Sequence, residues 1–168
     1  LITNLIWTNP KIKDGAIISD VEKDVLKVVV YNRYHAAKPK VGLIQSFGFK
    51  MGAIASTVAH DSHNIIAVGV DDESILEAIN LVVHEKGGIS CVREDQSKVI
   101  GLPVAGLMST ADPYQVANDY IEIDKMAKTL CTTFGSPFMT LSFMALLVIP
   151  HIKMSDLGLF DGDQFKLY

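Results

Sequence analysis

The sequence predicts an α+β fold: a single domain, residues 1–168, in which a mixed or antiparallel β-sheet carries two main helices on one face. The first observation is element order. Strand-like segments crowd the first 70 residues and are followed by helix, hairpin, helix and strand, rather than by the regular strand–helix alternation of a parallel sheet. The second is size: 168 residues suit one domain that buries roughly two thirds of the surface its unfolded chain exposes. The third is composition. With 49% hydrophobic and 20% charged residues, the chain has ordinary globular usage, which excludes disorder. No duplicated segment, low-complexity run or linker divides it.

Each element follows from local grammar. Short apolar pieces at Leu5–Trp7 and Ala16–Ile18 read as strands, separated by the turn signals Asn9-Pro10 and Asp14-Gly15. Val25–Tyr31 is rich in β-branched residues and predicts a strand with a buried face. Val41–Ile44 predicts another, broken at Gly48 and Gly52, and residues 53–70 hold two more on either side of a polar stretch. A helix capped by Asp71 or Asp72 then carries the stripe Ile75, Leu76, Ile79, Val82 and Val83 and ends at Gly87-Gly88. Ile89–Arg93 and Lys98–Leu102 predict a hairpin around Glu94–Ser97, and Pro103 and Gly106 open a loop. The second helix has Asp112 as N-cap, Pro113 at its first position and Gln115 placed for a capping box, with Val116, Tyr120, Ile123, Ala127 and Leu130 as its apolar face. Thr140–Ile149 predicts a last buried strand ending at Pro150; the tail alternates weakly around a turn at Asp161-Gly162-Asp163.

Bulk properties remove several function classes. A net charge of −4 argues against nucleic acid, whose backbone needs a basic face. The longest apolar run, Phe143–Ile149, is far short of the roughly 20 residues that span a bilayer. Cys91 and Cys131 form no zinc-spaced cluster or disulfide framework, which points to a reducing cytoplasm. The chain opens on Leu1, without a basic leader, and reads as a piece of a longer protein.

Chemistry concentrates in His60-Asp61-Ser62-His63-Asn64, five polar residues between two segments that suit buried strands. Such a linker on a rigid scaffold is where ligand-directed groups reside. Imidazole and carboxylate together make His60, Asp61 and His63 candidate ligands for zinc, manganese or iron, provided Asp61-Ser62 turns so that both rings reach one ion. The same residues equally make an ordinary turn that satisfies backbone amides, or a contact surface. Ser62 as a nucleophile is disfavoured, because triad members come from separate elements. A second cluster, Asn32-Arg33-Tyr34-His35, ends a strand; Arg33 could hold an anion or serve as a solvated or salt-bridged end group. Gly48 and Gly52 precede a strand, unlike the glycines of a phosphate loop.

The block Gly48-Phe-Lys-Met-Gly-Ala-Ile-Ala-Ser-Thr-Val-Ala-His-Asp-Ser-His-Asn-Ile-Ile-Ala-Val-Gly69 resembles the C-terminal domain of bacterial adenine deaminases, members of the amidohydrolase superfamily. Val25–His35, Leu102–Ser109, Ser136–Phe143, Val148–Pro150 and Leu157–Asp161 extend the resemblance in the same order. It implies a full enzyme that hydrolyses adenine to hypoxanthine and ammonia in purine salvage, with a binuclear manganese or iron centre on a (β/α)8 barrel upstream of residue 1. This chain contains no His-x-His pair such as that barrel uses, so the resemblance implies no catalytic residue here and a fragment inactive alone. His60, Asp61, Ser62, His63, Asn64, Arg33 and His35 become candidates for contact with the active site or an interface. The implied partners are the enzyme's own barrel, adenine and a homo-oligomer, with neither nucleic acid nor membrane. Two alternatives stay open at this point: an oligomerisation domain with no part in the site, and an independent metal-dependent hydrolase built on His60, Asp61 and His63.

Overall fold

Alternation of residues that are buried on both sides organises the molecule, whose computed structural model describes residues 1–168. The first strands are β1 (Lys11–Lys13), β2 (Ala16–Ile18), β3 (Val25–Tyr31), β4 (Lys40–Gln45), β5 (Ala53–Ser56) and β6 (Ile65–Gly69). Helix α1 (Asp72–His84) leads into the hairpin β7 (Gly88–Arg93) and β8 (Gln96–Gly101). After it come α2 (Pro113–Lys128), α3 (Pro137–Phe143), β9 (Ile152–Ser155), β10 (Gly158–Asp161) and β11 (Lys166–Leu167).

Six strands form the main sheet in the order β4-β3-β6-β5-β7-β8, and every neighbouring pair is antiparallel. Its inner strands send alternate side chains to opposite faces. Val29, Ala53, Ala55, Ile65, Ala67 and Val92 meet Ile75, Ala78 and Val82 of α1. Leu26, Val28, Val30, Ile54, Ile66, Val68, Ile89 and Cys91 join Ile123 and Ala127 of α2 and Phe138 and Leu141 of α3. The two main helices therefore lie on opposite faces, not together on one. Both faces of β3, β5, β6 and β7 are apolar, so a single covered face would have left the other set in water.

Local signals explain the ends of the helices. Asp71 caps α1 by accepting from the Ser74 amide at 2.7 Å. The buried stripe is narrower than the periodicity suggested: Ile75, Ala78 and Val82 are covered, whereas Leu76 and Val83 are 59% and 49% exposed. Asp112 caps α2 through its Oδ1, which accepts from the Tyr114 and Gln115 amides at 2.9 and 3.2 Å. Gln115 leaves the capping box half made, because its Nε2 donates one turn forward to Asp119 Oδ1.

Three strand assignments need correction. Thr140–Ile149 is not a strand: Pro137 opens α3, whose buried positions Pro137, Phe138, Leu141 and Ser142 recur at helical spacing, and turns follow it. A short continuous apolar run carries no periodicity to separate a buried strand from a buried helix. Leu5–Trp7 pairs with nothing, and Trp7 is 89% exposed. In the hairpin, Arg93 pairs with Gln96, so the turn holds two residues, Glu94 and Asp95, rather than four; Glu94 has φ 52°. β1 and β2 form a two-stranded sheet, and the tail forms a three-stranded one, β11-β10-β9, with the expected turn at Asp161, whose Oδ1 accepts from the Asp163 and Gln164 amides. No helix is long and apolar enough to cross a membrane.

Candidate functional site

Sheet register brings the two polar clusters together. β3 and β6 are antiparallel, and Tyr31 lies opposite Ile65. The residues after β3, Asn32 to His35, are thereby set beside those before β6, His60 to Asn64, at one end of the sheet. Neither cluster needs a long-range signal of its own, since pairing of two hydrophobic strands delivers both.

Asn32 shapes the first cluster from a buried position. Its Oδ1 accepts from the Tyr34 and His35 amides at 2.9 and 3.1 Å, turning the chain sharply, and its Nδ2 donates to Asp156 Oδ2 at 2.7 Å. Arg33 then spans three segments. Its amide donates to Asn64 Oδ1 at 3.3 Å, its Nε donates to the His63 carbonyl at 2.7 Å, and its Nη2 donates to the Ala105 carbonyl. The guanidinium lies 4.8 Å from the Tyr34 ring centroid, and the Tyr34 hydroxyl donates to the Ser62 carbonyl at 2.8 Å. Much of the arginine fork is thus used on backbone carbonyls, which makes Arg33 a strut between loops. Gly106 makes this possible: a Cβ there would stand 2.7 Å from the guanidinium.

The second cluster is a tight turn. The His63 amide donates to the Ala59 carbonyl at 2.7 Å, and His63 adopts φ 51°. Asn64 is buried and donates through Nδ2 to Ser62 Oγ at 3.3 Å. The two imidazoles meet edge to face with centroids 5.8 Å apart, and the His60 ring also rests against Phe143 at 5.5 Å. His63 Nδ1 is buried without a hydrogen-bond partner. Asp61, Ser62 and His35 are exposed.

Nowhere do three or more His, Cys, Asp or Glu side chains gather so as to hold a metal ion, His60, Asp61 and His63 included. Ser62 Oγ receives a hydrogen bond from Asn64 and none from either imidazole, so no nucleophile–base pair is assembled. What remains is a rim: two imidazoles, an exposed carboxylate and an exposed serine, held by Arg33.

Two contributors escaped the sequence reading. Thr57, fully buried, donates to the Gly106 carbonyl at 2.6 Å and accepts from the Gly88 amide at 2.8 Å. The Ala105-Gly106 loop is thereby tied to β5, β7 and Arg33 together. Its signal was faint, a lone glycine after a hairpin, and its partner Arg33 lies 72 residues away.

Comparison with known proteins adds what geometry leaves out. The model of the family described as adenine deaminase C-terminal domain matches residues 1–166. An adenine deaminase of Sulfurovum sp. is 56% identical over 144 residues, covering 85% of this chain and 27% of the relative. That of Methanosarcina acetivorans is 49% identical over 166 residues, 99% of this chain and 30% of the relative. That of Borreliella burgdorferi is 42% identical over 171 residues, 98% of this chain and 31% of the relative. The chain therefore spans less than a third of the length of these relatives.

Proposed function

Because the chain belongs to the adenine deaminase C-terminal domain family, we propose that it works as one domain of an adenine deaminase, an enzyme that hydrolyses adenine to hypoxanthine and ammonia. The observation that carries this reading is the match along nearly the whole chain to relatives bearing that name. The reaction would proceed in the cytoplasm, within a homo-oligomer, on a catalytic barrel contributed by the part of the enzyme outside the stretch that matches this chain. A binuclear manganese or iron centre on that barrel would lower the pKa of a bound water and supply hydroxide near neutral pH. The side chains here do not gather into a donor set for such a centre, and no step is assigned to metal held by this domain.

The role left for this domain is to position and to enclose. The turn from His60 to Asn64 faces the barrel mouth or a subunit interface, with His60, Asp61, Ser62 and His63 presented there, buried Asn64 and Arg33 bracing the turn, and His35 at its flank. The exposure of Asp61 and Ser62 supports this assignment, since both are free to meet a surface docked on the turn. Excluding water around the purine strengthens every polar contact made to it.

Replacing His60 and His63 by Ala in a full-length enzyme of this family tests the proposal. Raised KM or lowered kcat for adenine, with metal content unchanged, is the expected result. Unchanged kinetics with a lower melting temperature would leave the turn a packing role alone. A second reading, a domain for assembly, draws on the exposed apolar side chains of Leu5, Ile6 and Trp7. Light scattering of the 168-residue chain addresses it, and a monomer at high concentration would count against it.

A further inference from the structure

On the α1 side of the sheet, beside the rim but facing away from Phe143, lies a cleft of about 510 Å³. This is within the range of roughly 300–1,000 Å³ usual for small-molecule sites. Its walls include Tyr31, Ile65 and Val82, and its polar lining includes Arg33, His35 and Lys86. No Asp or Glu lines it, although the chain has 19 acidic residues against 15 basic ones. None of the three nitrogenous side chains has a carboxylate within salt-bridge distance. Arg33 spends Nε and Nη2 on the loops; Nη1 lies against Gly106 and makes no hydrogen bond within the chain.

Lys86 sharpens the picture. It follows α1 with φ 61°, a conformation in which glycine is the residue of least cost. Glycines stand at the next two positions, so the turn could have been built without a lysine. The last carbonyls of the helix are already served by backbone, with the Lys86 amide donating to Val83 and the Gly87 amide to Val82. The ammonium makes no hydrogen bond or ion pair of its own. An unpaired lysine at the lip of a cleft with no acidic lining suits a bound anion.

We propose that this cleft binds a small phosphate monoester carrying a flat ring, the phosphate between Arg33 and Lys86 and the ring against Tyr31 and Ile65. A phosphate monoester carries about −1.5 to −2 charges at neutral pH, which a guanidinium and an ammonium complement. Guanidinium suits its oxygens, and an aromatic and aliphatic wall suits a ring. This site lies beyond the deaminase reading and does not rest on it, because its test measures no deamination.

The test is titration calorimetry of the 168-residue chain with AMP as probe, beside adenosine and inorganic phosphate. The expected result is binding of AMP at millimolar concentration or below, with adenosine and phosphate each at least roughly tenfold weaker. Lys86→Gly should weaken AMP by roughly tenfold or more while leaving the melting temperature equal or higher, because glycine relaxes the turn. A merely structural lysine would instead show a lower melting temperature and unchanged AMP affinity. No AMP binding, equal affinity in Lys86→Gly, or phosphate as tight as AMP would each overturn the proposal.

Discussion

The two faces of the main sheet are built on different scales. Beneath α1 the cluster has nine buried residues, and four of them, Ala53, Ala55, Ala67 and Ala78, are alanines. The opposite cluster has 20 and includes Phe47, Phe49, Phe138, Met144 and Met154. Small residues on helix and strands together let α1 lie close. A Cβ on Gly69 would stand 2.6 Å from Ala53 Cβ and 2.7 Å from Ile75 Cγ1, so even an alanine there has no room. The wide face takes its volume from large side chains, and two helices are needed to close it. One strand encodes both demands: β5 reads Ala53-Ile54-Ala55-Ser56, with its alanines toward α1 and Ile54 toward α2 and α3.

The contrast predicts opposite sensitivities. Phe49 is fully buried and meets Phe47 edge to face at 5.7 Å. Phe49→Ala should cost about 3–5 kcal/mol, because the ring is fully buried and the void it leaves is only partly refilled by relaxation of its neighbours. Urea unfolding followed by circular dichroism measures it, and a cost below about 1 kcal/mol would mean that this face collapses freely around the loss. On the narrow face the damaging change is enlargement. Ala55, paired in register with Ala67, should lose about 1–3 kcal/mol on replacement by Leu, since α1 would have to lift. A neutral Ala55→Leu would erase the distinction between the faces.

That distinction was only partly legible in the sequence. β-branching announced β3 and β6, and the caps Asp71 and Asp112 announced the helices, because those signals are local. The side of the sheet each helix takes was not, for it depends on tertiary packing that the alternation of Ala and Ile in β5 only hints at. The second half of α3 was read as the start of a strand, Thr140–Ile149, because the apolar run is too short to show a period. The rim followed the same rule. The turn from His60 to Asn64 and the cluster from Asn32 to His35 stood out by composition. Their union through Arg33 awaited the pairing of β3 with β6, and the tie to Ala105 awaited the fold of a distant loop. The cleft beside Lys86 was invisible, since its walls come from β3, β6 and α1 together.

The gentlest probe of the wide face uses its own thiol and changes no residue. Cys91 lies on β7 with its side chain in the larger cluster, fully buried, and burial pushes the thiol pKa up to about 12. Its neighbour Ser90 faces the other way and donates to the Ala78 carbonyl of α1 at 2.7 Å. Cys131, after α2, is exposed. Because thiolate is the reactive form, a thiol that is both inaccessible and held protonated should be inert near neutral pH. A disulfide reagent such as DTNB should therefore release one equivalent quickly from the native chain and a second only in denaturant. If the wide face is as well packed as its buried side chains require, labelling of Cys91 in low denaturant should follow global unfolding, with the same dependence on urea. Native-state labelling of both thiols at comparable rates would show α2 and α3 lifting from the sheet without α1, and would make the larger cluster the weaker of the two faces.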